Sequence, residues 1–186
     1  MRSPFPLTEV EAHARAFFVG HPCASTVWAL GPTAQLFPAT RVLVFAPGPR
    51  CNHHVYVSIG ASHVRHGVHR EFLLCSREPD SSFVEALAAV VYYHHTEGLD
   101  VGHTFPIGQP WVAGASLDYF LVSLPYPFGP GLENCWVEGH HIRLLWLLPV
   151  HESECRFRHT EGLEALESRF EDAGIDILAP DRPPVV

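Results

Sequence analysis

From His53 to Cys75 the apolar residues first fall on alternate positions, at Val55, Val57 and Ile59. They pause over a stretch rich in histidine and arginine and resume at Phe72, Leu73 and Leu74. A period of two marks strands, so this segment predicts two of them, His54 to Gly60 and Glu71 to Cys75. Gly60 and Ser62 break the run between them. This hairpin-like unit is the expected core. Further on the period lengthens. Phe83, Leu87, Val90, Val91 and His94 recur at three and four residues and predict an amphipathic helix from Phe83 to His94, led by a capping box of Ser82 and Glu85. A second box, Thr8 with Glu11, opens a predicted N-terminal helix from about Glu9 to Val19 that Gly20 and Pro22 stop. Near the end, His151 to His159 and Thr160 to Ala173 read as a helical pair. Leu163, Leu166 and Phe170 share one face, Glu161, Glu164, Glu167 and Glu171 point away, and Gly174 is the cap.

Shorter apolar runs supply further strands: a brief one at Trp28 to Leu30, a better one at Arg41 to Ala46, and Leu117 to Leu124, whose exit Pro125, Pro127 and Pro130 fix. Trp136 to Glu138 and Ile142 to Leu148 read as a hairpin about Gly139, its second arm nearly free of charge and therefore a central strand. Gly98 to Gly114 is punctuated by glycine and proline around Phe105, Ile107 and Trp111, which predicts a packed loop with a short strand. The proline-rich tail from Asp181 to Val186 is expected to be extended and frayed. The fold class is α/β of an α+β kind. Residues 1–186 are read as a single domain, with a mixed central sheet of about five to seven strands packed by roughly three to four helices.

Composition narrows the function classes. A content of 47% hydrophobic and 17% charged residues suits a packed protein, and the longest apolar run, Leu144 to Val150, is too short for a bilayer. The first residues lack the order of a secretory signal, so the expected location is cytoplasmic. Five cysteines without CxxC spacing predict free, buried thiols. The net charge of −8, with basic residues scattered singly, argues against nucleic acid as a partner. All twelve basic residues are arginine, which removes lysine nucleophiles and Schiff bases.

Among 14 histidines, His63, His66 and His69 follow an HxxHxxH spacing and are the candidate metal ligands; a metal-assisted hydrolase is the enzyme reading they would support. Residues three apart on a helix drift by about 60° per step, however, and the adjacent pairs His53–His54, His94–His95 and His140–His141 would point to opposite strand faces. The reading is therefore of ordinary surface and edge histidines, with no metal and no cofactor. Ser62 and Ser116 follow Gly-Ala as in a nucleophile elbow but lack its second glycine, so both read as turn serines. Glu152 and Glu154 begin a helix, where carboxylates answer the macrodipole. No glycine-rich loop has a nucleotide-binding form. Rigid aromatics and a carboxylate in a proline-bracketed region, Trp111, Tyr126, Phe128, Glu133 and Trp136, form the candidate partner-binding set, with Tyr119 beside them read as core.

Several pieces taken in order carry a family resemblance: Ser58-Ile59-Gly60-Ala61-Ser62, Arg70-Glu71-Phe72-Leu73-Leu74, Gly102-His103-Thr104, Leu121 to Pro125, and Leu147 to Val150 followed by Glu152 and Glu154. Together they resemble the suppressor-of-fused domain over roughly Val42 to Arg182, with Gly162 to Leu166 similar to its final helix. The resemblance implies a non-enzymatic protein-binding module built on a mixed sheet. Eukaryotic members grip a transcription factor partly with a second, C-terminal domain that these 186 residues do not resemble, so that partner does not carry over. Stand-alone bacterial members are proposed to be immunity proteins, which implies a toxin domain as the partner; the acidic balance fits one with a basic cleft. A self-associating regulatory scaffold is the remaining alternative.

Overall fold

In a computed structural model that describes residues 4–107 and 116–186, the expected core hairpin is present as β3 (His54–Ile59) and β4 (Arg70–Ser76). The strands are antiparallel, with Val55 opposite Cys75 and Val57 opposite Leu73. β3 also pairs with β2 (Arg41–Phe45), which pairs with β1 (Cys23–Val27). On the other side β4 runs parallel to β8 (His140–Val150), and β7 (Asn134–Val137) forms a hairpin with β8. Helix α1 (Leu7–Phe17) covers the face bearing Val55 and Val57, where Phe18 packs on Phe45 at 4.6 Å; α3 (Ser82–Glu97) covers the opposite face through Phe83 on Tyr56 at 5.1 Å. Burial on both faces explains why Phe72, Leu73 and Leu74 of β4 form a continuous apolar run and why Tyr56 joins Val55, Val57 and Ile59 in the core. Val55, Val57, Ile59, Phe72 and Leu74 are all fully buried. These elements, β8 only as far as Trp146, belong with the short helices α2 (Gly31–Leu36) and α4 (Pro130–Glu133) to one compact unit, Met1–Asp100 with Leu124–Trp146.

The second unit is Val101–Ser123 with Leu147–Val186. It contains β5 (Thr104–Pro106) antiparallel to β6 (Tyr119–Ser123), the end of β8, and helices α5 (Glu152–Glu161) and α6 (Leu163–Ala173), which part at Gly162. The fold class is thus a mixed sheet with helices, having eight strands and six α-helices among the described residues, more of each than expected.

Several local expectations fail for identifiable reasons. The strand expected at Trp28 to Leu30 lies at Cys23–Val27 instead. That strand is exposed along most of its length and so carries no run of large apolar residues. Neither predicted capping box forms. α1 starts after Pro6 and places Thr8 inside its first turn, while Glu11 bonds Arg15 and Arg41. At α3 the Asp80 carboxylate accepts the Ser82 N–H at 2.8 Å, and the Ser82 hydroxyl is buried without a partner. A carboxylate does cap one helix, but it is Glu154, which accepts the His151 N–H at the start of α5. The expected frayed tail is pinned. Arg182 is buried in an ion pair with Glu154 and bonds the Pro149 carbonyl at 3.2 Å, and its own carbonyl accepts a bond from the His151 ring at 2.9 Å.

Candidate partner-binding surface

The connection between β3 and β4 is built around one carboxylate. Backbone pairing of the two strands stops at Val57 and Leu73, and the Ser58 hydroxyl accepts the next N–H, that of Phe72, at 2.9 Å. Glu71 fills the space this opens. It is wholly buried and accepts hydrogen bonds from the Ser58 and Ser62 hydroxyls at 2.5 and 2.7 Å. The N–H groups of Gly60, Ala61 and Ser62 add three more at 2.8, 3.1 and 3.1 Å. Gly60 has to be glycine, since its φ is 119° and a Cβ there would lie 3.0 Å from the Thr40 hydroxyl. Burial pushes the Glu71 pKa up, opposed by the two serine hydroxyls and the backbone donors. Ser62 is therefore a turn serine, as expected, although its hydroxyl bonds Glu71 rather than its own backbone.

The following histidines are held by packing. Phe5, buried to 2% exposure, places its ring 4.6 Å from that of His63, 5.0 Å from His69 and 5.3 Å from His140. His69 Nδ1 donates to the Ser62 carbonyl at 2.9 Å, and His95 Nδ1 donates to that of Val64 at 2.7 Å. Arg65 donates to the last carbonyls of α3, His95 and Thr96, at 3.3 and 3.1 Å. Burial, reinforced by the neighbouring His69, pushes the His63 pKa down. His66 is exposed. Among the described residues no group of three or more histidine, cysteine, aspartate or glutamate side chains is arranged to hold a metal ion. His63, His66 and His69 all line one cavity of about 450 Å³, and the expectation that they lie on the surface is corrected for His63 and His69, which are half-buried.

The β7–β8 hairpin carries the other candidates. Trp136 lies directly opposite His141, and the two rings stack 4.4 Å apart at 11°. His141 Nε2 donates to Asn134 Oδ1 at 2.8 Å, which fixes the imidazole, yet the indole remains 68% exposed. On the same strand face, Arg143 gives two bonds to Glu133 Oε1 at 3.0 and 2.7 Å and lies 3.8 Å from Asp100. Asp100 is bidentate to Arg70 at 3.2 and 2.9 Å, and Arg70 is the residue opposite Arg143 across the parallel ladder. The result is an aromatic platform beside a chain of alternating charges, Arg70–Asp100–Arg143–Glu133. Glu133, at the end of α4, is thus tied through Arg143 to the hairpin that carries Trp136. Tyr126 is 59% exposed on a separate turn. Phe128 turns inward, with its ring 5.3 Å from Phe18 and 6.1 Å from Phe17. Trp111 lies outside the described residues.

The sequence profile of the suppressor-of-fused protein family matches residues 38–183. The chain belongs to the suppressor-of-fused family. A suppressor-of-fused homologue of Neisseria gonorrhoeae is 32% identical and superposes with a TM-score of 0.85 over 96% of each chain. The structure of a Sufu–Fu complex gives 16% identity and a TM-score of 0.72 over 99% of this chain and 93% of that one. Drosophila Suppressor of Fused gives 13% and 0.62 over 99% of this chain but 52% of that one. At these identities the last two show the fold alone. None of the curated protein sequences compared matches the chain.

Two of the fragments that suggested the suppressor-of-fused family, Ser58 to Ser62 and Arg70 to Leu74, are the two halves of the Glu71 clamp. Their residue types alone give Glu71 no role. An acidic residue inside an otherwise apolar strand, opposite a Ser-x-Gly-x-Ser turn, was the available signal. His141 and Arg143, which hold Trp136 and Glu133 in place, were also missed, because cross-strand pairing is invisible until the register is known.

Proposed function

We propose that this chain is a non-enzymatic protein-binding module of the cytoplasm that captures its partner on the face bearing Trp136, and that it acts as an immunity-type inhibitor of a basic toxin domain. The observation that carries the reading is an indole 68% exposed and yet fixed by its stack on a hydrogen-bonded imidazole. An aromatic ring already held in one orientation loses little entropy on binding, which is how interface hot spots work. The paired charges beside it suit a polar rim, and a net charge of −8 steers a basic partner toward the surface. A related fold has been captured as a Sufu–Fu complex, which supports partner binding as its use.

Co-purification from the native host, including products of adjacent reading frames, tests the proposal. A specific partner should be retained, and Trp136→Ala should weaken it by at least about tenfold. The captured protein should be toxic when expressed alone and silent when co-expressed with this chain. Failure to retain any partner, or equal retention by the variant, overturns the binding reading; a harmless partner overturns the inhibitor role.

A further inference from the structure

A second surface of the first unit has the features of a strand-docking groove. In the sheet order β1 comes first, with β2 as its only neighbour among the described residues. The ladder bond from Ala46 N–H to the Pro22 carbonyl at 2.9 Å sets the phase of the pairing. Positions 22, 24 and 26 therefore bond to β2, and Cys23, Ser25 and Val27 turn their N–H and C=O groups to the open edge. Edges of this kind are ordinarily blunted by charge, proline or a bulge, because they template pairing with another chain. Cys-Ala-Ser-Thr-Val contains no charge and no proline.

Beside that edge lie two adjoining cavities of about 420 and 530 Å³ that share Trp28 and Leu30. Val27 and Leu30 are 61% and 67% exposed there, and Tyr92 of α3 is 38% exposed. The charged side chains lining the two cavities are acidic, Asp80 in one and Glu85 in the other, with no arginine or histidine among the described lining residues.

We propose that this groove docks an extended apolar segment of a partner protein that also carries basic residues, added as a strand to Cys23, Ser25 and Val27. Charge chooses this occupant over a second copy of the chain. Two copies paired edge to edge would each bring a net charge of −8, whereas a strand carrying basic residues meets Asp80 and Glu85 in the cavities beside the edge. Main-chain bonds along the edge supply affinity, and alternate side chains entering the cavities supply selectivity. The surface is independent of Trp136.

The probe is a synthetic heptapeptide of alternating valine and threonine with a lysine at each end, titrated into the isotope-labelled chain. Amide exchange at Cys23, Ser25 and Val27 should slow by at least about tenfold, and a glutamate-ended peptide should bind at least about tenfold more weakly. Ser25→Pro removes one outward N–H without touching the β2 ladder and should abolish the effect with an unchanged circular dichroism spectrum. Should that variant misfold, Val27→Lys should weaken the lysine-ended peptide instead. Trp136→Ala should leave peptide binding intact, which separates this surface from the one proposed above. No change at those amides at about 1 mM peptide, equal binding of the glutamate-ended peptide, or protection of the same amides by self-association without peptide would each overturn the proposal.

Discussion

Glu71 in the first unit and Glu154 in the second are both fully buried carboxylates, and their surroundings treat them differently. Glu71 is held by neutral donors, two hydroxyls and three backbone N–H groups, all from residues 9 to 13 positions earlier. Glu154 meets a cation: both Arg182 η-nitrogens reach it, at 2.6 and 2.7 Å, with further bonds from the His151 and Val185 N–H groups. Burial raises the pKa of both. At Glu71 burial prevails, while at Glu154 the guanidinium and backbone donors outweigh it and hold the pKa below the ordinary carboxylate range. A carboxylate clamped by a turn shapes the chain around it, whereas one paired with a distant arginine fastens a tail to a helix.

The largest test of this contrast removes one charge of the pair. Glu154→Gln leaves Arg182 buried and unpaired and should cost about 3–5 kcal/mol, while Glu154→Leu combined with Arg182→Met should be less damaging than Glu154→Gln alone; chemical denaturation measures both. A smaller effect comes from His94, buried on α3 with Nδ1 accepting the Leu99 N–H at 2.9 Å. Burial lowers its pKa to about 4, with Arg65 and Arg70 adding to the fall. The unfolded chain then binds more protons below about pH 6.5. Stability should therefore be fully present above that pH and decline by roughly 3 kcal/mol as pH falls toward 4, beyond the changes due to carboxylates. A flat profile across that window would show that His94 is protonated in the folded chain.

Glu71→Gln turns an amide NH₂ toward at least one backbone N–H whichever way the amide is set, because both Glu71 oxygens accept from the main chain. It should destabilise the chain by about 1–3 kcal/mol, with the largest loss of amide protection at Gly60 to Ser62. If the variant is neutral, the clamp does not hold the turn. The finest test leaves the sequence unchanged. Carboxyl NMR titration should place the Glu154 midpoint below the ordinary glutamate range and that of Glu71 above it, by the causes given. By linkage, Glu154 contributes stability that is lost as pH falls through its lowered midpoint, and Glu71 contributes stability that is lost as pH rises through its raised one. The reverse order would erase the distinction.

Much of the fold was legible because it depends on near neighbours. Period two across Val55 to Ile59 named β3, period three to four across Phe83 to His94 named the buried face of α3, and the low charge of Ile142 to Leu148 marked β8 as central. Edge strand β1 escaped because its exposure leaves it without a hydrophobic signature. The capping motifs misled because Glu11 is taken by Arg41, 30 positions away, and the Ser82 N–H is taken by Asp80, which lies outside the Ser82–Glu85 window.

The candidate site divides in the same way. Residue type singles out Trp136 as a candidate, since rigid aromatics are what interaction hot spots use, and Glu133 enters only as its neighbour. The stack on His141, the bonds to Arg143 and the packing of His63 and His69 on Phe5 follow from strand register and from contacts over 58 to 64 positions. By itself the sequence determined the periodicities, the absence of lysine, the acidic balance and the ordered fragments of a suppressor-of-fused chain. Tertiary structure alone decided which carboxylate found a cation, which histidines became core and which edge stayed open, because each depends on residues that meet only when the chain folds.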